Sequence, residues 1–280
     1  MIDLHTHTDE SDGTLIPVEL VTAAAQMSLE ALAITDHDTF AGYDQAASSA
    51  SELGLDLVCG IELSTKFRGR SVHLLGYFLQ NGPTEDFRNW VTALQQARHV
   101  RNRGLIERLA SKGVQITAEE LKQRGGTLPG RPHFAAILAQ KGYVSSIQQA
   151  FDEYLDESAA CYVAREEPSF AEGIARITSG GGLASLPHPG RVSRQHGVLE
   201  ESVGEMRDLG LRGIEVYHSD HSAEDQCFYE SLARNLDLAI TGGSDFHGET
   251  KPRVALGTGI DGKLSVPRSV LDNLRQITSF

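Results

Sequence analysis

The sequence predicts a parallel, barrel-like α/β fold of seven strands with one helical insertion. Apolar runs rich in Val, Ile and Leu alternate with helical stretches over most of the chain, and this alternation lapses once, between Asn81 and about Ala159. A length of 280 residues suits one such barrel carrying an insertion.

The first strand is read at Ile2 to His5 and the second at Ala31 to Thr35, with a helix from Pro17 to Met27 between them. Proline at the start of that helix costs nothing, because the first helical N–H has no intrahelical partner. A second helix, Ala41 to Leu53, leads to strands at Leu57 to Glu62 and Ser71 to Phe78. Pro83-Thr84-Glu85-Asp86 then reads as a helix start, and the run to Lys112-Gly113 sets Trp90, Leu94, Leu105, Ile106 and Leu109 on one face. Shorter helical pieces follow at Ala118 to Arg124, Pro132 to Gln140 and Ser145 to Tyr154. Residues 1–80 and 160–280 are thus expected to build the barrel, and 81–159 the insertion. Strands at Leu183 to Pro187, Gly213 to Tyr217 and Leu238 to Thr241 complete the seven. Helices at Phe170 to Thr178, Leu199 to Leu209, Ala223 to Asn235 and Pro267 to Gln276 accompany them.

The chain is acidic, with 25 Lys and Arg against 38 Asp and Glu and a formal net charge of −13. This disfavours binding along a DNA duplex, which needs a basic face, but leaves short anionic substrates open. Multivalent cations held inside would offset part of the charge. No run of about eighteen apolar residues is present, so no membrane partner is expected. Met1-Ile2-Asp3-Leu4-His5 lacks the basic start and apolar stretch of a signal peptide, which predicts a cytoplasmic protein. Cys59, Cys161 and Cys227 form no C-x-x-C pair and are expected to be reduced, buried thiols.

Histidine placement carries the chemistry. His5 and His7 close the first strand, with Asp12 a few residues on; His37 follows the second, Glu62 ends the third and His73 lies in the fourth. His188 follows the fifth strand, His218 ends the sixth, and Asp245 and His247 follow the seventh. The C-terminal strand ends of a parallel barrel converge on one mouth. Alternate residues of a His-x-His strand point to one side, and imidazoles with carboxylates are ligands for Mn, Fe or Zn. Six histidines and three carboxylates exceed what one ion uses, which implies a site of two or three metals.

His5-Thr6-His7-Thr8, Thr35-Asp36-His37-Asp38, Gly60-Ile61-Glu62, Leu186-Pro187-His188-Pro189 and Gly243-Ser244-Asp245-Phe246-His247 together resemble the polymerase and histidinol phosphatase (PHP) family of metal-dependent phosphoesterases. The resemblance spans nearly the whole chain and implies a distorted (β/α)7 barrel, its C-terminal face capped by the insertion. It also implies one ion on His5, His7, Glu62 and Asp245, a second on Glu62, His73 and His188, and a third on Asp12, His37 and His247, with manganese foremost and iron or zinc as alternatives.

Gly130-Arg131-Pro132-His133-Phe134-Ala135 is similar to the motif of the nucleoside 3′,5′-bisphosphate phosphatases, also described as 5′-to-3′ exoribonucleases on short RNA. That likeness implies a small nucleotide substrate, with short RNA as a further one, and places Arg131 and His133 in the phosphate pocket. Arg191 is placed for the same phosphate and His218 as a further donor, and bidentate guanidinium forks suit phosphate oxygens. Water shared by two metals would be hydroxide near neutral pH and attack phosphorus directly. His218, His133 or a metal-bound water then protonates the leaving oxygen. Histidinol-phosphate phosphatase is the alternative within the family, an amidohydrolase-like enzyme a second, and a non-catalytic metal-stabilised interaction module the alternative of another class.

Two weaker patterns have plain readings. Gly257 to Gly262 fits G-x-G-x-x-G but is followed by too little chain for a dinucleotide-binding unit. Arg98, His99, Arg101, Arg103 and Arg108 read either as a track for a short polyanion or as a solvated helix face.

Overall fold

The computed structural model of the protein describes residues 1–278. Seven strands, β1 (Ile2–Thr6), β2 (Ala31–Ile34), β3 (Asp56–Phe67), β4 (Arg70–Phe78), β5 (Leu183–Leu186), β6 (Gly213–His218) and β7 (Ala239–Gly243), form one sheet in sequence order. The sheet curls until its edges meet: His7 N–H donates to the Phe246 carbonyl at 2.9 Å, and Asp245 N–H to that of His5 at 2.8 Å. Around it stand α1 (Pro17–Gln26), α2 (Ala41–Glu52), the insertion helices α3 (Glu85–Ser111), α4 (Ala118–Gly125), α5 (Arg131–Gln140) and α6 (Ile147–Ala150), then α7 (Phe170–Ser179), α8 (His196–Asp208), α9 (Ala223–Asn235) and α10 (Arg268–Ile277). No helix among the described residues is long and apolar enough to cross a membrane.

The expected all-parallel order fails at one strand. β4 runs antiparallel to both β3 and β5. Only Arg68 and Gly69 separate β3 from β4, and both adopt positive φ (48° and 77°), the backbone of a tight two-residue hairpin. A parallel return needs a crossover of a dozen or more residues, and none is available. Nor does β3 stop at Glu62: it continues to Phe67, so β3 and β4 rise above the mouth as a hairpin. Because β4 is reversed, the N-terminal end of that strand carries His73 to the same rim as the C-terminal ends of the others.

The reversal also explains α3. β4 delivers the chain to the bottom of the barrel, and a 27-residue helix, about 40 Å long, climbs back. Thr84 caps it by accepting from Phe87 N–H. Phe87 and Val91 belong to the barrel core, whereas Leu105 and Leu109 belong to a separate cluster with Phe134 and Leu138 of α5. The apolar face expected to be single thus serves two cores. Below α6 the chain continues as one π-helical turn, Phe151–Leu155. Of the cysteines, Cys59 and Cys161 are buried as expected, but Cys227 is exposed on α9. Gly257 to Gly262 falls in and after a small hairpin, β8 (Val254–Ala255) and β9 (Gly259–Ile260), and the next helix, α10, starts only at Arg268, so the glycines do not form the strand-to-helix turn of a dinucleotide site.

At the barrel bottom, Asp56 on β3 accepts from Arg275 Nη1 and Nη2 and from Arg268 Nη2, all at 2.7 Å, and so clamps α10. These guanidiniums hold its carboxyl below the usual value, Arg275 foremost. A depressed native pKa adds stability that is present above the unfolded value and lost as pH falls through the native one. Asp56→Asn is expected to cost about 1 kcal/mol at pH 7 for this partly exposed pair. In urea titrations the gap to the parent should close in acid; a constant gap would mean packing, not charge.

Candidate metal centre

Every carboxylate and imidazole expected at the mouth arrives there. Glu62, 1% exposed, lies at the middle. Its Oε2 is 3.3 Å from His5 Nε2, 3.2 Å from His7 Nε2 and 3.4 Å from His37 Nδ1. Its Oε1 is 2.9 Å from His73 Nδ1 and 3.0 Å from His188 Nε2. Asp12 faces His247 Nε2 at 3.2 Å and His37 Nε2 at 3.5 Å. Asp245 Oδ1 lies 3.5 Å from His5, His7 and His247.

Three groups have their donor atoms close enough to share an ion: His5, His7, Glu62 and Asp245; His7, Asp12, His37 and His247; and His37, Glu62 and His73. The first is the expected set, the second adds His7 to the expected third set, and the last has His37 in the place given to His188. His188 remains on Glu62 Oε1. His7 Nε2 and His37 Nδ1 are buried without a hydrogen-bond partner, an arrangement that suits a cation and little else.

The electrostatics point the same way. Burial works to raise the pKa of Glu62, but His37, His73 and His5 outweigh it and hold the group well below its usual value. Asp12 and Asp245 are held down against burial in the same manner. His7 is raised to about 9, burial being overcome by Asp245 and Glu62, while burial drives His37 and His188 down to about 3. Two buried carboxylates, Glu62 and Asp245, and the partly buried Asp12 therefore demand positive charge, and protonated imidazole supplies it only in part.

Beneath the cluster lie residues that sequence reasoning missed. Glu215 on β6 accepts from His5 Nδ1 at 2.9 Å and from His188 N–H at 2.7 Å. The second bond helps hold His188 at φ 32°, ψ 61°, a left-handed backbone that the following proline disfavours. Asp3 accepts from Ser244 N–H at 2.8 Å and Ser244 Oγ at 2.6 Å, beside Asp245, itself at φ 57°. Asp36 accepts from Thr8 N–H at 2.7 Å and Ser11 Oγ at 2.6 Å. Such bonds orient metal ligands and are costly to lose. A carboxylate inside an apolar strand run, as in Ile2-Asp3-Leu4 and Ile214-Glu215-Val216, was the available signal.

The PHP domain model matches residues 3–163. The chain belongs to the PHP family. The match stops short of His188, Asp245 and His247, but a metal-dependent phosphoesterase structure from Bifidobacterium adolescentis covers 98% of this chain and 94% of its own, at TM-score 0.82 and 32% identity. Among curated relatives, the 5′-3′ exoribonuclease of Escherichia coli K12 is 34% identical, covering 96% of this chain and 90% of that protein. The 3′,5′-nucleoside bisphosphate phosphatase of Chromobacterium violaceum is 30% identical, covering 88% and 87%. A phosphoribosyl 1,2-cyclic phosphate 1,2-diphosphodiesterase of Eggerthella lenta is 32% identical, covering 88% and 94%. With family, fold and donor groups in agreement, this PHP chain is a metal-dependent hydrolase of phosphate esters.

The insertion roofs the PHP mouth and leaves a cavity of about 310 Å³ between Glu62, Asp12 and Asp245 below and Arg98, Arg101 and Arg131 above. Arg191 and Lys251 reach the same cavity and engage Asp245 Oδ2 at 3.1 and 2.5 Å. Arg165, from the segment returning to the barrel, joins Arg98 on Asp38. Asp38, at φ 54°, also accepts from Ser64 N–H at 2.8 Å, so one buried carboxylate ties barrel to roof.

Two expected pocket residues line cavities that adjoin this one and reach the same cluster. His133 lies two helical positions from Arg131, facing another way; its Nδ1 accepts from Gly130 N–H at 2.9 Å, and it lines a neighbouring cavity of about 920 Å³. His218 borders the cluster, with Nε2 3.5 Å from Asp245 Oδ2, and opens on a side cavity of about 290 Å³. The basic block of α3 divides: Arg98 and Arg101 are buried toward the mouth, whereas His99, Arg103 and Arg108 are exposed. The five therefore do not lie on one face.

Proposed function

We propose that this PHP enzyme removes the 3′-phosphate of nucleoside 3′,5′-bisphosphates to give nucleoside 5′-monophosphates, and trims short 5′-phosphorylated RNA from its 5′ end. The observation that carries the reading is the pairing, within one cavity, of a cation-demanding cluster with an arginine roof. Such a chamber suits a small substrate with negative charge at two places. Relatives named for both activities, at 30% and 34% identity, support it.

In this reading His5, His7, Glu62 and Asp245 hold one divalent ion, Glu62 with His73 and His188 a second, and Asp12, His37 and His247 a third. Manganese is the metal we favour. Divalent ions held by these residues would supply a nucleophile from water at neutral pH and offset charge on the phosphoryl oxygens. Arg191 binds the reacting phosphate at the barrel rim, and Arg131 binds substrate phosphate from the roof. His218, 3.5 Å from Asp245, returns the proton to the leaving oxygen; we favour it over His133, whose Nδ1 is engaged by Gly130 N–H.

The test is phosphate release by metal-free protein reloaded with Mn²⁺, offered adenosine 3′,5′-bisphosphate, histidinol phosphate, a ribose 1,2-cyclic phosphate and a short 5′-phosphorylated RNA. Fastest release from the bisphosphate, with adenosine 5′-monophosphate as product, is expected. Turnover confined to histidinol phosphate or the cyclic ester would replace the reading. Arg131→Ala is expected to raise KM for the bisphosphate about 10-fold with kcat nearly kept. An unchanged kcat/KM would remove Arg131 from the pocket.

A further inference from the structure

Asp245 is built differently from the other carboxylates of the cluster. Glu62 gives both oxygens to imidazoles. Asp12 has imidazoles as its only basic partners among the described residues. Asp245 has two unlike faces. Its Oδ1 lies among His5, His7 and His247, whereas its Oδ2 accepts from Lys251 Nζ at 2.5 Å and Arg191 Nη2 at 3.1 Å, with His218 Nε2 at 3.5 Å.

The two cations reach that oxygen by different means. Arg191 comes from another segment, the turn after His188, and its side chain is 47% exposed. Lys251 comes from the loop that carries Asp245 and His247, and that loop is pinned along its length. His247 Nδ1 donates to the Asp245 carbonyl at 2.8 Å, and Glu249 N–H to Thr14 Oγ1 at 3.0 Å. Lys251 N–H donates to the Gly248 carbonyl at 3.0 Å, and Val254 N–H to that of Lys251 at 2.9 Å. Gly248, at φ 61°, packs so closely that a Cβ there would lie 2.1 Å from Thr14 Oγ1. The chain is thus bent to return an ammonium to the carboxylate six residues before it. Arg191, half in solvent, is free to turn to a phosphate; the lysine on its pinned loop stays.

A carboxylate with both oxygens free can grip an ion through the pair and fill two coordination positions. Catalytic metal sites keep a position open for water or substrate. An ammonium on Oδ2 competes with an ion for that oxygen, by its charge and by a charge-assisted hydrogen bond.

We propose that Lys251 caps Asp245 Oδ2, so that Asp245 offers a divalent ion Oδ1 alone and a coordination position stays open. Lys251 is a positioning residue: it loosens the hold on metal and thereby permits turnover. The proposal rests on the assignment of Asp245 to a metal, not on the identity of the substrate.

Lys251→Met and Lys251→Arg are compared with the parent. In calorimetric titration of metal-free protein, Lys251→Met should bind Mn²⁺ about 5-fold more tightly than the parent, the reverse of what loss of a merely supporting contact does. Water-proton relaxation of the Mn²⁺-loaded variant, which reports water on the ion, should fall. On adenosine 3′,5′-bisphosphate its kcat should drop about 10-fold with KM within about 2-fold. Lys251→Arg, which keeps a cation and its donors, should return all three toward the parent. Mn²⁺ binding that is unchanged or weaker in Lys251→Met, or undiminished relaxation, overturns the cap. A loss confined to KM also overturns it and makes Lys251 a substrate contact. A parent that takes up no Mn²⁺ would sink the metal assignment itself. If the parent binds Mn²⁺ but leaves the bisphosphate intact, the nucleotide reading alone fails, and titration and relaxation still decide the cap.

Discussion

Replacing Glu62 with glutamine is expected to strip metal from the centre and lower kcat by on the order of 10²–10⁴. Its two oxygens are the meeting point of five imidazoles, and no other carboxylate of the cluster touches so many of the donors. Glutamine keeps the shape but removes the charge and puts an N–H₂ donor where only acceptors serve. Removing one member of a buried ion pair costs about 3–5 kcal/mol. At about 1.4 kcal/mol per decade, that sets the range given. The checks are metal content after dialysis and kcat at saturating Mn²⁺. Fluorescence of Trp90, the one tryptophan, reports whether barrel and α3 remain packed. A folded variant that retains its metal and most of its kcat would show that Glu62 is not the shared ligand.

Glu215→Gln should weaken metal binding about 10- to 100-fold and yet remain rescuable by excess metal. The carboxylate touches no ion in this reading; it fixes the ring of His5 and the backbone of His188 from below. Burial works to raise its pKa, but His5 and His218 prevail and set it at about 2. The depressed value adds stability above the ordinary Glu range that is lost as pH falls toward 2. Parent and variant should therefore differ in melting temperature at neutral pH and converge in acid. Metal titration separates the two glutamates: recovery of turnover at high Mn²⁺ is expected for Glu215→Gln and not for Glu62→Gln. No recovery in Glu215→Gln would make it a ligand or a folding determinant.

The barrel and the gathering of the donors were legible because all of them but Asp12 lie in or shortly after an apolar run, and buried strands announce themselves by composition. The direction of β4 was also legible but overlooked. Eight residues separate Glu62 from Ser71, too few for a helical crossover, and Arg68-Gly69 is turn chemistry. Glu215 and Asp3 were hidden by the apolar residues around them, although a charge in such a run must be buried and paired. The basic block of α3 misled through composition. Arg98, Arg101, Asn102, Leu105 and Leu109 share one face by helical spacing, which sets Arg103 apart from Arg101. Arg131 and His133, two positions apart on one helix, likewise point in different directions.

The hairpin of β3 and β4 makes chain length itself a determinant of chemistry. His73 opposes Ser64, and Phe67 opposes Arg70, across a turn of two exposed residues. Deleting Gly69 leaves too little chain to turn, so one strand must surrender a paired residue and slip by one place. Side chains alternate faces along a strand, and such a slip swings His73 out of the mouth while leaving Glu62 in it. An evolving lineage can thus exchange Arg68 for another residue that tolerates positive φ, at the cost of its exposed pairs with Glu201 and Glu205, but cannot change the number of residues in its turn.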